Sequence, residues 1–128
     1  MSHSAVRWVF ALVGAYDAVI GLAFLVAGPQ IFTASGVPHP NHWGYVQFAS
    51  LLLLVFGAMF FAVARNPVSN RNLIPYGIGL KLSYSGLVAY YWATSDLPSL
   101  FKPFAVVDAV TVVLFWMAYR ARPATTTA

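Results

Sequence analysis

Cysteine is absent from the 128 residues, which removes disulfides, thiolate metal sites and cysteine nucleophiles together. Charge is scarce as well: 8% of the residues are charged, against 60% hydrophobic. A soluble domain carries about 25% charged residues, and a chain of 13.9 kDa has too little interior to hide so much apolar surface. Lipid is the environment that this composition requires. The net charge of +4 does not mark a nucleic-acid binder, because the basic residues stand at the ends of apolar runs and form no stripe or patch. No Ser–His–Asp order, phosphate-cradling glycine loop or carboxylate pair with hydrolase logic is visible, so no catalytic residue is assigned and an enzyme is the least favoured class. Gly77-Ile78-Gly79 falls inside an apolar run and reads as a packing feature.

What the sequence does contain is long hydrophobic runs. A hydrocarbon core about 30 Å thick needs about 20 helical residues per crossing. Four runs qualify, at about 6–27, 44–64, 72–94 and 103–119. The first is expected to stop at Gly28-Pro29, a glycine–proline terminator, and the second at Arg65-Asn66-Pro67. Pro75 is tolerated in the first turn of the third, and Arg120 and Arg122 close the fourth. The first run is too long for a signal peptide and has no clear cleavage site, so it is expected to be retained. The expected fold is all-α: one integral membrane four-helix bundle over residues 1–122, followed by a disordered threonine-rich tail at 123–128.

Orientation follows from the basic residues. If the chain alternates through four spans, Arg7, Arg65, Arg71, Arg120 and Arg122 fall on one side and Lys102 alone on the other. The positive-inside bias then puts both termini in the cytoplasm. Trp8, Trp43, Tyr45, Trp92 and Trp116 lie near span ends, where interfacial aromatics belong.

Three ionisable side chains lie within the runs: Asp17, Lys81 and Asp108. At about 1.5 Å per residue, Asp17 rises about 15 Å above Arg7, Lys81 about 15 Å above Arg71 and Asp108 about 18 Å above Arg120. All three reach one depth near the midplane. A lone charge there costs about 2.5–3.5 kcal/mol even on the lenient insertion scale, so the shared depth predicts a cluster with Lys81 between the two carboxylates. Gly14, Asp17 and Gly21 share one helix face, as do Gly77, Lys81 and Ser85 with Tyr84 beside them. Gln47, Ser50 and Gly57 define a small, polar stripe on the second helix. One lysine cannot neutralise two carboxylates, so either one Asp is protonated or another cation takes part. Asp17 is the expected ion-pair partner and Asp108 the ligand-facing carboxylate. The cluster is read either as structural glue or as a ligand or proton site made of Asp17, Lys81, Asp108, Gln47, Tyr84 and Ser85.

Outside the runs, His39-Pro40-Asn41-His42 sits in the first loop. Two histidines three apart can share a metal on a helix, but Pro40 and the lack of a third ligand nearby argue against it; no metal site is assigned. Residues 30–36 are expected to form a short interfacial helix capped by Gly36. Tyr76, Tyr84, Tyr90 and Tyr91 give the third helix an aromatic surface able to line a cleft for a quinone, sterol or lipid.

The length, the four runs, the proline-bearing first loop, the basic Ala64-Arg65-Asn66-Pro67 connector and the buried Lys81 and Asp108 together resemble the DoxX-like group of small bacterial four-helix membrane proteins. The resemblance covers the whole chain and rests on layout. It implies a multi-pass protein of the bacterial inner membrane, sometimes associated with redox enzymes acting on quinones or sulfur compounds, and it carries over no catalytic residue. The leading functional expectation is a bundle that binds a partner or an apolar small molecule, with no cofactor identified. Its rivals are an accessory subunit of a respiratory or photosynthetic complex and a small proton-coupled transporter. Four helices are few for alternating access, so the transporter would need to dimerise. Expected partners are the bilayer, another membrane subunit or a second copy of the chain.

Overall fold

The computed structural model describes residues 1–121; Arg122 and the tail at 123–128, expected to be disordered, lie outside the described residues. Four α-helices run along the chain: α1 (His3–Ala34), α2 (Gly44–Arg65), α3 (Ile74–Thr94) and α4 (Lys102–Arg120). Short 3₁₀ turns at Arg71–Leu73 and Ser99–Phe101 lead into α3 and α4. No strand occurs among the described residues. Each start has a local cause. The Ser2 hydroxyl accepts from the Ala5 amide at the head of α1, and Pro75 and Pro103 occupy first-turn positions that need no amide donor.

The regular helix of the first span is interrupted at Ala27, directly before Gly28-Pro29, where the stop is expected. Helical structure continues to Ala34, and the break is a kink with Ala27 at φ −126°, ψ 24°. Pro29 has no N–H to donate to Leu25, and its ring crowds that carbonyl, so the helix bends. Packing beyond the bend keeps the next turn helical: Phe32 is buried against the Trp43 ring at 5.2 Å. The stretch beyond the bend stops at Gly36, whose φ of +69° permits a Schellman closure. Val37 N–H donates to the Phe32 carbonyl and Gly36 N–H to that of Thr33. The short helical stretch expected at 30–36 and capped by Gly36 is thus present, joined to the first span across the kink and ending at Ala34.

α1, α2 and the segment Ser99–Arg120 are long and apolar enough to cross a membrane. α3 is 21 residues long, but Lys81, its serines and its four tyrosines make it less apolar than the others. The helices pair as two hairpins, α1 along α2 and α3 along α4, with far fewer contacts between hairpins than within them. Small residues set the α1–α2 distance. A methyl group on Gly14 would come within 3.0 Å of the Gly57 carbonyl oxygen, and one on Gly21 within 2.7 Å of that of Ser50. Gly77 gives way to the Phe60 and Phe115 rings, whereas Gly79 faces open space and packs against nothing.

The core where the hairpins meet lies toward the end that carries the N-terminus and the α2–α3 connector. Val6, Phe10, Phe60, Val63, Ile74 and Phe115 are all buried there. Phe10 and Phe115 stack at 4.3 Å between centroids, and Phe60 closes on Phe115 at 5.0 Å. Two arginines tie the helices at this end. Arg7 Nε donates to the Ala64 carbonyl at 3.0 Å, and Arg71 donates through two nitrogens to the Tyr119 carbonyl while lying over its ring. Trp8, Tyr45, Trp92 and Trp116 are exposed near the helix ends. Trp43 is instead half-buried against Phe32.

Candidate functional site: a charged cluster beneath a cavity

The three buried charges converge. Lys81 Nζ donates to Asp17 Oδ1 at 2.6 Å and to Asp108 Oδ1 at 3.0 Å. Asp17 and Lys81 are each 1% exposed and Asp108 7%. Each comes from a different helix, and the helical repeat puts each one turn or two from the aromatic core: Phe10 lies seven residues before Asp17 and Phe115 seven after Asp108. Lys81 follows Gly77 by four, so its stem leaves α3 where that helix presses on Phe60. The ammonium lies 5.6 Å from the Tyr16 ring centroid and 5.9 Å from that of Phe60, and these faces shield its flank. The cluster also ties α1 of one hairpin to α3 and α4 of the other.

The remaining expected site residues divide. Tyr84 is half-buried above the cluster, where its hydroxyl donates to the Phe101 carbonyl at 3.0 Å and pins the turn before α4. Ser85 does not reach the charges; its hydroxyl donates to the Lys81 carbonyl at 2.7 Å, the back-bonding by which serine satisfies itself in a helix. Gln47 is exposed and makes no contact with the cluster. At about 100° per residue, Ser50 and Gly57 lie within about 20° of one line on α2, but Gln47 is about 60° off Ser50. It leaves the α1-facing stripe for the outside.

On the side of the cluster away from the aromatic core, a cavity of about 460 Å³ opens between the hairpins. Asp17 and Asp108 front it, and Lys81 does not line it. Phe24, Phe32 and Phe104 form its α1 and α4 walls, with Phe101 toward the loops. Leu80 and Tyr84 come from α3, and Tyr45, Ala49 and Leu52 from the facing side of α2. Tyr45 and Leu52 are also exposed on the outer surface. The cavity lies where the two hairpins make few contacts with each other, and its exposed lining residues Tyr45, Ala49 and Leu52 belong to α2.

Two polar atoms here are buried and have no hydrogen-bond partner: Asp17 Oδ2 and the Tyr16 hydroxyl. Both residues line the cavity. Buried polar atoms are ordinarily paired, so two unpartnered ones among the residues of one cavity are an exception. The sequence pattern does not flag Tyr16. Its only sign there is adjacency to Asp17, and nothing in the spacing separates it from the tyrosines of α3. The histidines of the first loop are occupied locally: His39 Nε2 shares a hydrogen bond with Thr33 Oγ1 at 2.8 Å, and His42 Nδ1 accepts from the Gly44 amide. Set against protein-family models, curated proteins and solved structures, the chain matches none of them.

Proposed function

We propose that this protein is a multi-pass protein of the bacterial inner membrane, of the DoxX-like kind, that binds an apolar small molecule inside its bundle. All four helices cross the bilayer in this reading, α3 included. Its length and its packing along α4 support that placement, and the Asp17 and Asp108 contacts answer the cost of carrying Lys81 inside. Both termini face the cytoplasm. Arg7, Arg65, Arg71 and Arg120 mark that side, and Lys102, lying over the Trp92 ring, marks the other. Because the chain has no cysteine, single cysteines at Ser4 and Ser95 test this cleanly. Position 95 should react with an impermeant maleimide in intact cells, and position 4 only after permeabilisation.

The observation that carries the binding reading is an apolar cavity bordered by Asp17 and Asp108, with two unpartnered polar atoms buried in the residues that line it. Ligand sites are concave, mostly apolar and furnished with a few convergent polar groups, as this cavity is. Native mass spectrometry from lipid nanodiscs tests it. The wild type should carry a small-molecule adduct that Ala49→Trp, which fills the cavity from α2, removes. A mass made up of further protein subunits, with no adduct, would instead favour an accessory subunit of a larger complex.

A further inference from the structure

The floor and the walls of the cavity together select a class of ligand. The floor sets two carboxylates, Asp17 and Asp108, against one ammonium. No other charged side chain among the described residues lines the cavity. With both carboxylates ionised, the cluster keeps one negative charge that its own lysine does not balance. In a low-dielectric setting such a charge is costly. A proton restores neutrality, and so does a monovalent cation arriving in the cavity. Lys81 occupies only Oδ1 of Asp17; Oδ2 of this residue, 1% exposed, is unpartnered beside the cavity. Above it stand the rings of Tyr16, Phe24, Phe32, Tyr84 and Phe104, faces that attract organic cations and hold an apolar body equally well. A metal ion fits poorly. Hard divalent cations take about six oxygen ligands, no group of three or more Asp, Glu, His or Cys gathers among the described residues, and the Ser50 hydroxyl is committed to the Val46 carbonyl.

We propose that the cavity takes an apolar amine in its ammonium form, in exchange for one proton held by the Asp17–Asp108 pair. The proposal rests on the reading of this cavity as a small-molecule site. The exchange balances: one alkylammonium enters, one proton leaves, and the charge of the filled cluster is unchanged. The titratable groups at the cavity and the cluster are Tyr16 and Asp17 from α1, Tyr45 from α2, Lys81 and Tyr84 from α3, and Asp108 from α4; α2 also contributes the uncharged Ser50. Proton and amine compete for one place, so affinity for the amine rises with pH by up to about tenfold per unit over the range in which the pair holds its proton.

The test uses phenylhexylamine, an alkylammonium up to about pH 10, and phenylhexanol, which matches its body and its donor but not its charge. Both are titrated calorimetrically into the full chain in nanodiscs, with protein-free discs subtracted, from about pH 5.5 to about pH 8, where the alkylamine stays charged. The amine should bind at least about tenfold tighter than the alcohol at the upper end, as an unbalanced partner charge in a dry site demands. It should release about one proton per site, read from two buffers of different ionisation enthalpy. Asp108→Asn should abolish both the preference and the proton release. Equal binding of the two probes, without pH dependence or proton release, would overturn the amine–proton exchange while leaving the cavity an apolar binding site. Binding of neither probe would overturn both readings. If Asp108→Asn does not fold, the pH profile and proton count of the wild type decide alone.

Discussion

At one end of the bundle Phe10, Phe60 and Phe115 fill the space between the hairpins; at the other, Phe24, Phe32, Phe101 and Phe104 surround a cavity. The residue types are the same, but the neighbours differ. Where the rings interlock, α3 contributes Gly77, and Val63, Ile74 and Ala118 fill the gaps around them, so the rings close to 4.3 and 5.0 Å. Where they do not, the rings meet edge-on at 6.3 Å, Phe24 against Phe32 and Phe104. Lipid tails are as apolar as phenylalanine, so apolar burial supplies little drive to bring helices together in a membrane; close packing and polar contacts supply it. The closed end has packing, the boundary has the Asp–Lys–Asp contacts, and the open end is held apart by two hairpins that are each well packed within themselves.

The sharpest way to break this contrast is at the boundary. Lys81→Met leaves two buried carboxylates without their cation and should cost about 3–5 kcal/mol, read as loss of folded protein in reversible SDS unfolding. Replacing Asp17 and Asp108 by Leu together with Lys81→Met should recover most of that loss, since apolar substitutes for a buried ion cluster are often neutral or better. Such a variant, folded but unable to bind, separates a functional cluster from structural glue. Next in size is Phe115→Ala in the closed end, expected to cost about 3 kcal/mol through the void it leaves among stacked rings. Gly21→Ala sets a methyl group 2.7 Å from the Ser50 carbonyl oxygen and should cost about 2 kcal/mol by prising α1 from α2. Smallest is Phe104→Ala: it enlarges a cavity that already exists, and the loss should stay below about 1 kcal/mol, since the cost of such a truncation depends on the contacts its surroundings made. Equal losses for Phe115→Ala and Phe104→Ala would mean that the two ends are packed alike.

Much of the site was legible from depth arithmetic. Asp17, Lys81 and Asp108 lie at matching distances along their helices from Arg7, Arg71 and Arg120, and an unpaired charge in an apolar helix is expensive enough to force an encounter. The failures share a cause. A spacing of three groups Gln47 with Ser50, although the helical repeat turns it about 60° away, and it is exposed. Ser85 lies near the right face, yet its hydroxyl had a carbonyl of its own helix within reach. At Gly28-Pro29, by contrast, local propensity reads correctly: the helix breaks at Ala27 and the stretch beyond it closes at Gly36. Tyr16 could not be singled out, because an orphaned hydroxyl is a property of its surroundings and not of its type.

Composition and periodicity alone therefore determine that the described residues are helical, that their helices are long and apolar enough for a membrane in three of four cases, and that the three interior charges must meet, since a lone charge among apolar residues is costly. Tertiary structure alone decided that the hairpins pack closely at one end and leave a cavity at the other, and that Asp17 and Asp108 border this space while Lys81 does not. Whether two helices touch depends on side-chain volumes summed across both of them, and no single run of sequence contains that sum.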